Sequence, residues 1–126
     1  MGRLHKAIHN GNIQKLKSRL KERPEAVNEK DADGETALHA AIRADQYEIA
    51  SFLIARGADV NARDRYGWTP LLLATQQGYE RMVSLLLRSG ADLHAQDDVD
   101  GLTALDYATM GGHVSLVRLL RSSIGE

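Results

Sequence analysis

The stretch Asp-Arg-Tyr-Gly-Trp-Thr-Pro-Leu at residues 64–71 occurs, with substitutions, three times in this 126-residue chain. The other copies are Asp-Ala-Asp-Gly-Glu-Thr-Ala-Leu at 31–38 and Asp-Asp-Val-Asp-Gly-Leu-Thr-Ala-Leu at 97–105, which carries one extra residue before its glycine. The glycines of successive copies are spaced by 33 and 34 positions. A fixed period of this length is typical of stacked supersecondary units, each of which contacts its neighbours.

The central copy predicts a helix that begins at Pro70. Thr69 is a good N-cap, because its hydroxyl can accept from an unpaired N–H of the first turn. Pro70 fits the first helical position, where its missing N–H costs nothing. The helix is expected over residues 70–77 and should end at Gly78, where a left-handed residue is favoured.

A second and more apolar helix is predicted after Gly78. Met82, Val83 and the three leucines at 85–87 make this segment too apolar all round for a surface helix, so it should lie buried between neighbouring units. Gly90 ends the segment, and the following Ala-Asp-Leu leads into the next turn. The repeating unit is therefore predicted to be a helix, a turn, a second helix and an extended hairpin.

The repeated residues resemble the ankyrin repeat, whose pattern is close to D-x-x-G-x-T-P-L-H-x-A-A-x-x-G-H, followed by an apolar helix and G-A-D-V-N-A. The likeness covers essentially the whole chain and is carried by Gly-Trp-Thr-Pro-Leu at 67–71, Leu-His-Ala-Ala at 38–41, Gly-His at 112–113 and Gly-Ala-Asp-Val-Asn-Ala at 57–62. It implies an all-α repeat solenoid, a stack of helix–turn–helix units with β-hairpin loops. We expect a single domain over residues 1–126, with units at about 2–30 (an N-terminal cap), 31–63, 64–96 and 97–126 (a C-terminal cap).

The chain departs from that pattern at a few positions. Leu72 and Asp106 replace the usual histidine, whereas His39 matches it and is expected to hydrogen-bond between units. Asp45 occupies the position that glycine holds in the other units. A residue other than glycine in a left-handed conformation costs roughly 1 kcal/mol, so Asp45→Gly is expected to stabilise the protein.

The two terminal units differ in how they cover the stack. A terminal unit lacks a neighbour on one face, so that face should be polar. In the first unit, polar residues replace three apolar residues of the second unit; they are Lys15, Ser18 and Arg19. The last unit keeps four apolar residues, which are Leu116, Leu119, Leu120 and Ile124. Either these belong to an ordinary amphipathic end helix of a monomer, which we prefer, or they allow weak self-association through the C-terminal unit.

Composition and charge narrow the classes of partner. Residues 1–30 hold eight Lys and Arg against three Asp and Glu, a net charge of +5, and residues 31–126 hold eight against fourteen, a net charge of −6. Neither part has the dense basic patch that a phosphate backbone requires, so nucleic acid is not expected as a partner. No segment approaches 18 uninterrupted apolar residues, and the first residues do not resemble a signal peptide. We therefore expect no membrane partner and a cytoplasmic location.

The composition of the chain and the spacing of its residues argue against catalytic and metal-binding motifs. The chain has no cysteine, which removes thiolate sites and cysteine nucleophiles. Residues 98–101 superficially match a calcium loop, but its first and twelfth ligand positions fall on Gln96 and Tyr107. His5 and His9 have the i,i+4 spacing of a metal-binding pair, yet no third ligand is evident. Because P-loop, dinucleotide and G-x-S-x-G patterns are also missing, we expect no catalysis and no cofactor.

The resemblance implies a non-catalytic module that binds a protein partner through the hairpin tips and the concave first-helix face. These are also the positions that vary while the framework repeats. The candidate contact residues are Tyr66, Trp68, Arg65, Asp33, Glu35, Arg43, Gln76, Gln77, Asp98, Asp100, Leu102 and Met110. The alternatives are a structural or engineered repeat scaffold with no dedicated partner, and a fragment of a longer ankyrin array.

Two features of the tips leave alternatives open. Tyr66 and Trp68 flank Gly67, and exposed Tyr, Trp and Arg dominate interface energetics. We prefer the interface role for Tyr66, whereas Trp68 equally suits packing on a neighbouring hairpin. The acidic third tip, with Asp98 and Asp100, would attract a basic partner or form a solvated edge.

Overall fold

The computed structural model describes residues 3–125, with side chains described from residue 4. Within that range the chain forms eight α-helices, one short 3₁₀ helix and no β-strand. The α-helices are α1 (Arg3–His9), α2 (Ile13–Glu22), α3 (Ala37–Arg43), α4 (Tyr47–Ala55), α5 (Pro70–Gln77), α6 (Glu80–Arg88), α7 (Ala104–Met110) and α8 (Val114–Ile124). The 3₁₀ helix, Pro24–Asn28, follows α2.

The helices are arranged in a repeating pattern of pairs. Each odd-numbered helix packs against the even-numbered helix that follows it. The odd-numbered helices also pack against one another in order from α1 to α7, and α4, α6 and α8 do the same in a second row. This arrangement is an all-α repeat solenoid, as the sequence predicted. No helix within residues 3–125 is both long and apolar enough to cross a bilayer.

Three of the odd-numbered helices are preceded by a threonine that acts as the N-cap. The hydroxyls of Thr36, Thr69 and Thr103 accept from the N–H three residues later, at 3.4, 3.2 and 3.3 Å. Helix α5 runs from Pro70 to Gln77 and ends at Gly78, which is left-handed with φ 77°. The predicted boundaries of this helix are confirmed, because both ends are set by local chemistry.

The turn inside each helix pair passes through one left-handed residue. Gly11, Gly78 and Gly112 have φ values of 66°, 77° and 69°, and Asp45 has a φ of 53°. The placement of Asp45 at a glycine position is therefore confirmed. At Gly78 the lack of a side chain also matters for packing, since a Cβ there would lie 2.9 Å from the imidazole of His113.

The two ends of the stack differ in polarity. In α2, Lys15 and Ser18 are exposed and Arg19 is half-buried, so the first helix pair has the polar side chains that a cap needs. In α8, Leu116 and Leu120 are buried, and this helix packs against α6. Their burial agrees with an amphipathic end helix.

Candidate functional site

Three turns, which we call the tips, connect an extended segment to the next odd-numbered helix. The first tip is residues 31–35, the second is 64–68 and the third is 97–102. In each tip the first residue donates a backbone hydrogen bond to the last residue, at 2.9, 3.1 and 3.2 Å respectively. The first residue also accepts a bond from the glycine of the tip, at 3.0, 3.0 and 3.2 Å. The tips have the shape of the hairpins predicted from the sequence, but no strand forms in them within the described residues.

An aspartate organises each tip. Asp31 Oδ1 accepts from the N–H groups of Asp33 and Glu35, both at 2.9 Å. Asp64 Oδ1 accepts in the same way from Tyr66 and Trp68, at 2.9 and 3.0 Å. The carboxylates of these aspartates are therefore used inside the tip.

Successive tips are tied to one another through the backbone. The N–H of Arg65 donates to Asp33 O at 3.0 Å, and the N–H of Asp98 donates to Tyr66 O at 2.9 Å. Glycine makes this approach possible, since a Cβ on Gly67 would lie 2.7 Å from the nitrogen of Asp98. The three tips therefore form one hydrogen-bonded row, which we call the tip row.

Side chains add further bonds between units. Lys30 Nζ donates to Arg63 O at 2.9 Å, and Arg63 donates to Gln96 O at 2.8 Å. Asn28 and Asn61 also bridge consecutive units, because each donates to the carbonyl of a glycine in the next unit, at 3.1 and 3.2 Å. These contacts hold consecutive units, and therefore consecutive tips, at a fixed spacing.

His39 connects the second unit to the second tip. Its Nδ1 accepts from the N–H of Thr36 at 3.1 Å, so the proton is on Nε2, which donates to Trp68 O at 2.9 Å. Burial lowers the pKa of His39, although the Trp68 carbonyl opposes that shift. The predicted hydrogen bond between units is therefore present. The bond that Nδ1 accepts from Thr36 needs the neutral imidazole, because a protonated ring has no acceptor.

His5 makes the equivalent Nε2 contact from the first unit to the first tip, a role that the sequence reasoning missed. It is buried, and its Nε2 contacts Glu35 O at 2.9 Å, as His39 contacts Trp68 O. The available signal was Leu4-His5, which precedes Leu38-His39 by one period. His5 had been considered only as half of a metal-binding pair with His9, which is exposed.

Tyr66 and Arg65 form the most exposed aromatic contact in the tip row. Tyr66 is 46% exposed, and the Arg65 guanidinium lies 4.8 Å from its ring centroid. Arg65 also pairs with Asp33 of the first tip at 3.4 Å. The structure therefore brings three of the candidate contact residues together across two tips.

Trp68 is placed differently from Tyr66. It is half-buried and packs on Tyr107 of α7, with ring centroids 4.9 Å apart and planes tilted by 39°. Such aromatic pairs contribute about 0.5–1.5 kcal/mol beyond their buried area. This geometry gives Trp68 a clear packing role between the second tip and the last helix pair.

Tyr107 also anchors the third tip. Its hydroxyl donates to Asp97 Oδ2 at 2.6 Å, and the N–H groups of Val99, Asp100 and Leu102 donate to the same carboxylate. Burial alone would raise the pKa of Asp97, but these donors lower it to about 2. Burial and the adjacent carboxylate raise the pKa of Tyr107.

Several candidate acidic residues are already paired within the protein. Glu35 forms an ion pair with Arg43, with Nε to Oε2 at 2.7 Å. Asp98 lies 4.0 Å from Arg63. Asp100 is exposed and makes no ion pair with the described residues. Internal pairing weakens the field that the tips would present to a basic partner.

The remaining candidate residues lie on the odd-numbered helices or at their start. Gln76 and Gln77 are exposed at the end of α5, and Met110 is 71% exposed at the end of α7. An eight-residue helix is about 12 Å long, so these three side chains form a second row, separate from the tips. Leu102 is half-buried in the third tip.

A groove of about 560 Å³ lies between α1 and α3. Its lining residues are His5, His9, Asp31, Glu35, Ala40, Arg43, Ala44 and Gln46. The groove therefore connects the first tip with the side of α3. Within the described residues, no three His, Asp or Glu side chains are placed to hold a metal ion.

Comparison with known families agrees with this geometry. A family model described as ankyrin repeats (3 copies) matches residues 4–97 and 64–125. The chain belongs to the ankyrin-repeat family. Ankyrin repeats are generally protein–protein interaction modules, and the family is generally non-catalytic. Comparison with individually curated proteins gives no significant match.

Proposed function

We propose that this ankyrin-repeat chain is a non-catalytic module that binds a protein partner through the tip row and the concave face of the odd-numbered helices. We further propose that it does so as a monomer of four units in one domain, with boundaries near residues 30, 63 and 96. The observation that supports the binding role is the tip row itself. Its side chains differ from tip to tip, while its backbone is fixed by bonds between neighbouring tips.

The mechanism is rigid presentation. Two backbone hydrogen bonds join the tips, and the side chains of Lys30 and Arg63 reach the carbonyls of the following unit. A surface that is ordered before binding loses little conformational entropy when a partner docks. Affinity therefore depends on the few side chains at the surface rather than on folding of the loops.

Arg65 and Tyr66 are the proposed centre of the contact. The guanidinium covers the ring and pairs with Asp33, so both side chains are held in place before a partner arrives. Tyr and Arg are enriched among residues that dominate binding energy. Trp68 contributes less to the free surface, because one side of its ring is occupied by Tyr107.

The test is capture of a partner from the source cell, followed by affinity measurement with that partner purified. Arg65→Ala and Tyr66→Ala should each weaken binding about tenfold or more. Val114→Ala is the matched control, since Val114 is an exposed apolar residue at the start of α8 and outside the tip row, and it should leave affinity unchanged. All three variants should melt close to the wild type.

Two results would count against this proposal. If no specific protein is captured, the scaffold alternative is favoured. If a partner is captured but the two tip variants bind as tightly as Val114→Ala, the contact lies elsewhere on the chain.

A further inference from the structure

A second concave feature lies between α1 and α2, outside the tip row. This cavity has a volume of about 450 Å³ and is lined by Lys6, Ala7, Asn10, Lys15 and Arg19. Three of these five residues are cations, contributed by two different helices, and none is acidic. The volume falls within the range of small-molecule sites.

The three cations are not neutralised within the described residues. Lys6, Lys15 and Arg19 make no ion pair there, and the buried Nε of Arg19 has no hydrogen-bond acceptor. By contrast, Arg43 and Arg65 pair with carboxylates of the first tip. The residues that line the cavity therefore carry positive charge that no carboxylate of the described residues neutralises.

The placement of the cations on α2 is also electrostatically unfavourable without a counter-ion. Lys15 and Arg19 are four residues apart on the same helix, and like charges at that spacing repel. Lys15 lies in the first turn of α2, which contains no acidic residue and where the helix dipole is already positive. A bound anion would relieve both effects.

We propose that this cavity binds a small, multiply charged oxyanion of the polyphosphate class. Lys6 and Lys15 supply point charges, and Arg19 supplies a guanidinium that pairs with phosphate oxygens. The amide of Asn10 adds a neutral donor at the rim. Three cations around one cavity match a multiply charged anion better than a singly charged carboxylate.

The experiment is calorimetric titration of inorganic triphosphate into the full chain at about 50 mM salt, where phosphate contacts are little screened. Saturable binding with one site is expected, and the melting temperature should rise with triphosphate concentration. The double variant Lys15→Gln/Arg19→Gln should weaken binding by about tenfold or more, because two charged contacts are lost. Lys21→Gln is the control, since Lys21 lies on the same helix but outside the cavity, and it should change affinity less than about twofold.

Three outcomes would overturn the proposal. The first is no saturable binding of triphosphate up to about 10 mM, which is weaker than a millimolar site allows. The second is an equal loss of affinity in Lys21→Gln, which would assign binding to the net charge of α2. The third is tighter binding of a tetraglutamate peptide than of triphosphate, which would assign the cavity to an acidic protein segment. Lys6→Gln/Lys15→Gln replaces the double variant if Arg19→Gln unfolds, because it leaves the half-buried guanidinium in place.

Discussion

Replacing Asp45 by glycine should raise the free energy of unfolding. Asp45 has a φ of 53°, a conformation that costs an L residue about 1–2 kcal/mol and glycine nothing. Glycine also increases the conformational entropy of the unfolded chain, which reduces this gain by about 0.4–1 kcal/mol. Asp45 is exposed, and its side chain makes no hydrogen bond or ion pair within the described residues, so nothing else is lost. The expected net gain is roughly 0.5–1 kcal/mol.

The measurement is urea denaturation followed by both far-UV circular dichroism and the fluorescence of Trp68. The two signals must give the same transition, because a stack of repeats can unfold unit by unit and a single free energy is then undefined. A gain of this size corresponds to an increase in Tm of about 2–4 °C for a chain of this length.

Glycines at the equivalent turns provide the controls for Asp45→Gly. Gly11 has a φ of 66°, and a Cβ there would meet only Gln46 Nε2 at 3.6 Å, so Gly11→Ala should cost roughly 1 kcal/mol from conformation alone. Gly78→Ala should cost more, because its Cβ would lie 2.9 Å from the His113 ring. The reasoning fails if Asp45→Gly gives no gain while Gly11→Ala is also harmless.

Three further changes test the packing around the site. Thr75→Val should stabilise the protein by about 1 kcal/mol, because the buried Thr75 hydroxyl has no hydrogen-bond partner among the described residues. Thr109→Val is the control, since it loses a bond of 2.8 Å to Leu105 O, and chemical denaturation measures both variants. Tyr107→Phe should lower the free energy of unfolding by about 1–2 kcal/mol at pH 7, because Asp97 loses a hydrogen-bond donor. The same change should raise the pKa of Asp97 from about 2, so the variant should lose less of its free energy of unfolding than the wild type between pH 3.8 and 2. Denaturation at pH 7 and at pH 3 measures both effects. The pKa of His39 is lowered in the folded state, so its contribution to stability should be fully present above pH 6.5 and should fall as the pH drops below that value. His39→Leu should reduce this dependence of Tm on pH, which melting curves at acidic pH measure.

The architecture was predictable because its decisive signals are local. Thr69, Pro70 and Gly78 fix both ends of α5 within the chain segment that forms it, and the period then places the other helices. Asp45 was placed correctly for the same reason. Only the hairpins differed in detail, since each tip is closed by two local backbone bonds and forms no strand within residues 3–125.

The candidate site was less predictable because its contacts cross between units. Whether Trp68 faces solvent depends on Tyr107, which replaces Lys6, Ala40 and Leu73 of the other units at one position of the repeat. His5 was missed because residues 1–30 lack the Asp-x-x-Gly-x-Thr stretch that marks the other copies. The period of the repeat predicts where a single residue lies in its unit. Its contact partner can be predicted only when the sequences of two units are compared position by position.

The position of Tyr107 in the repeat is filled differently at the two ends of the concave face. Between α1 and α3 the equivalent positions hold Lys6 and Ala40, and a groove of about 560 Å³ remains open beside the first tip. At the last helix pair Tyr107 holds this position, where its ring packs on Trp68 at 4.9 Å and its hydroxyl donates to Asp97 at 2.6 Å. One substitution in the repeat therefore adds an aromatic contact and a hydrogen bond at the last helix pair, whereas a groove lies beside the first tip.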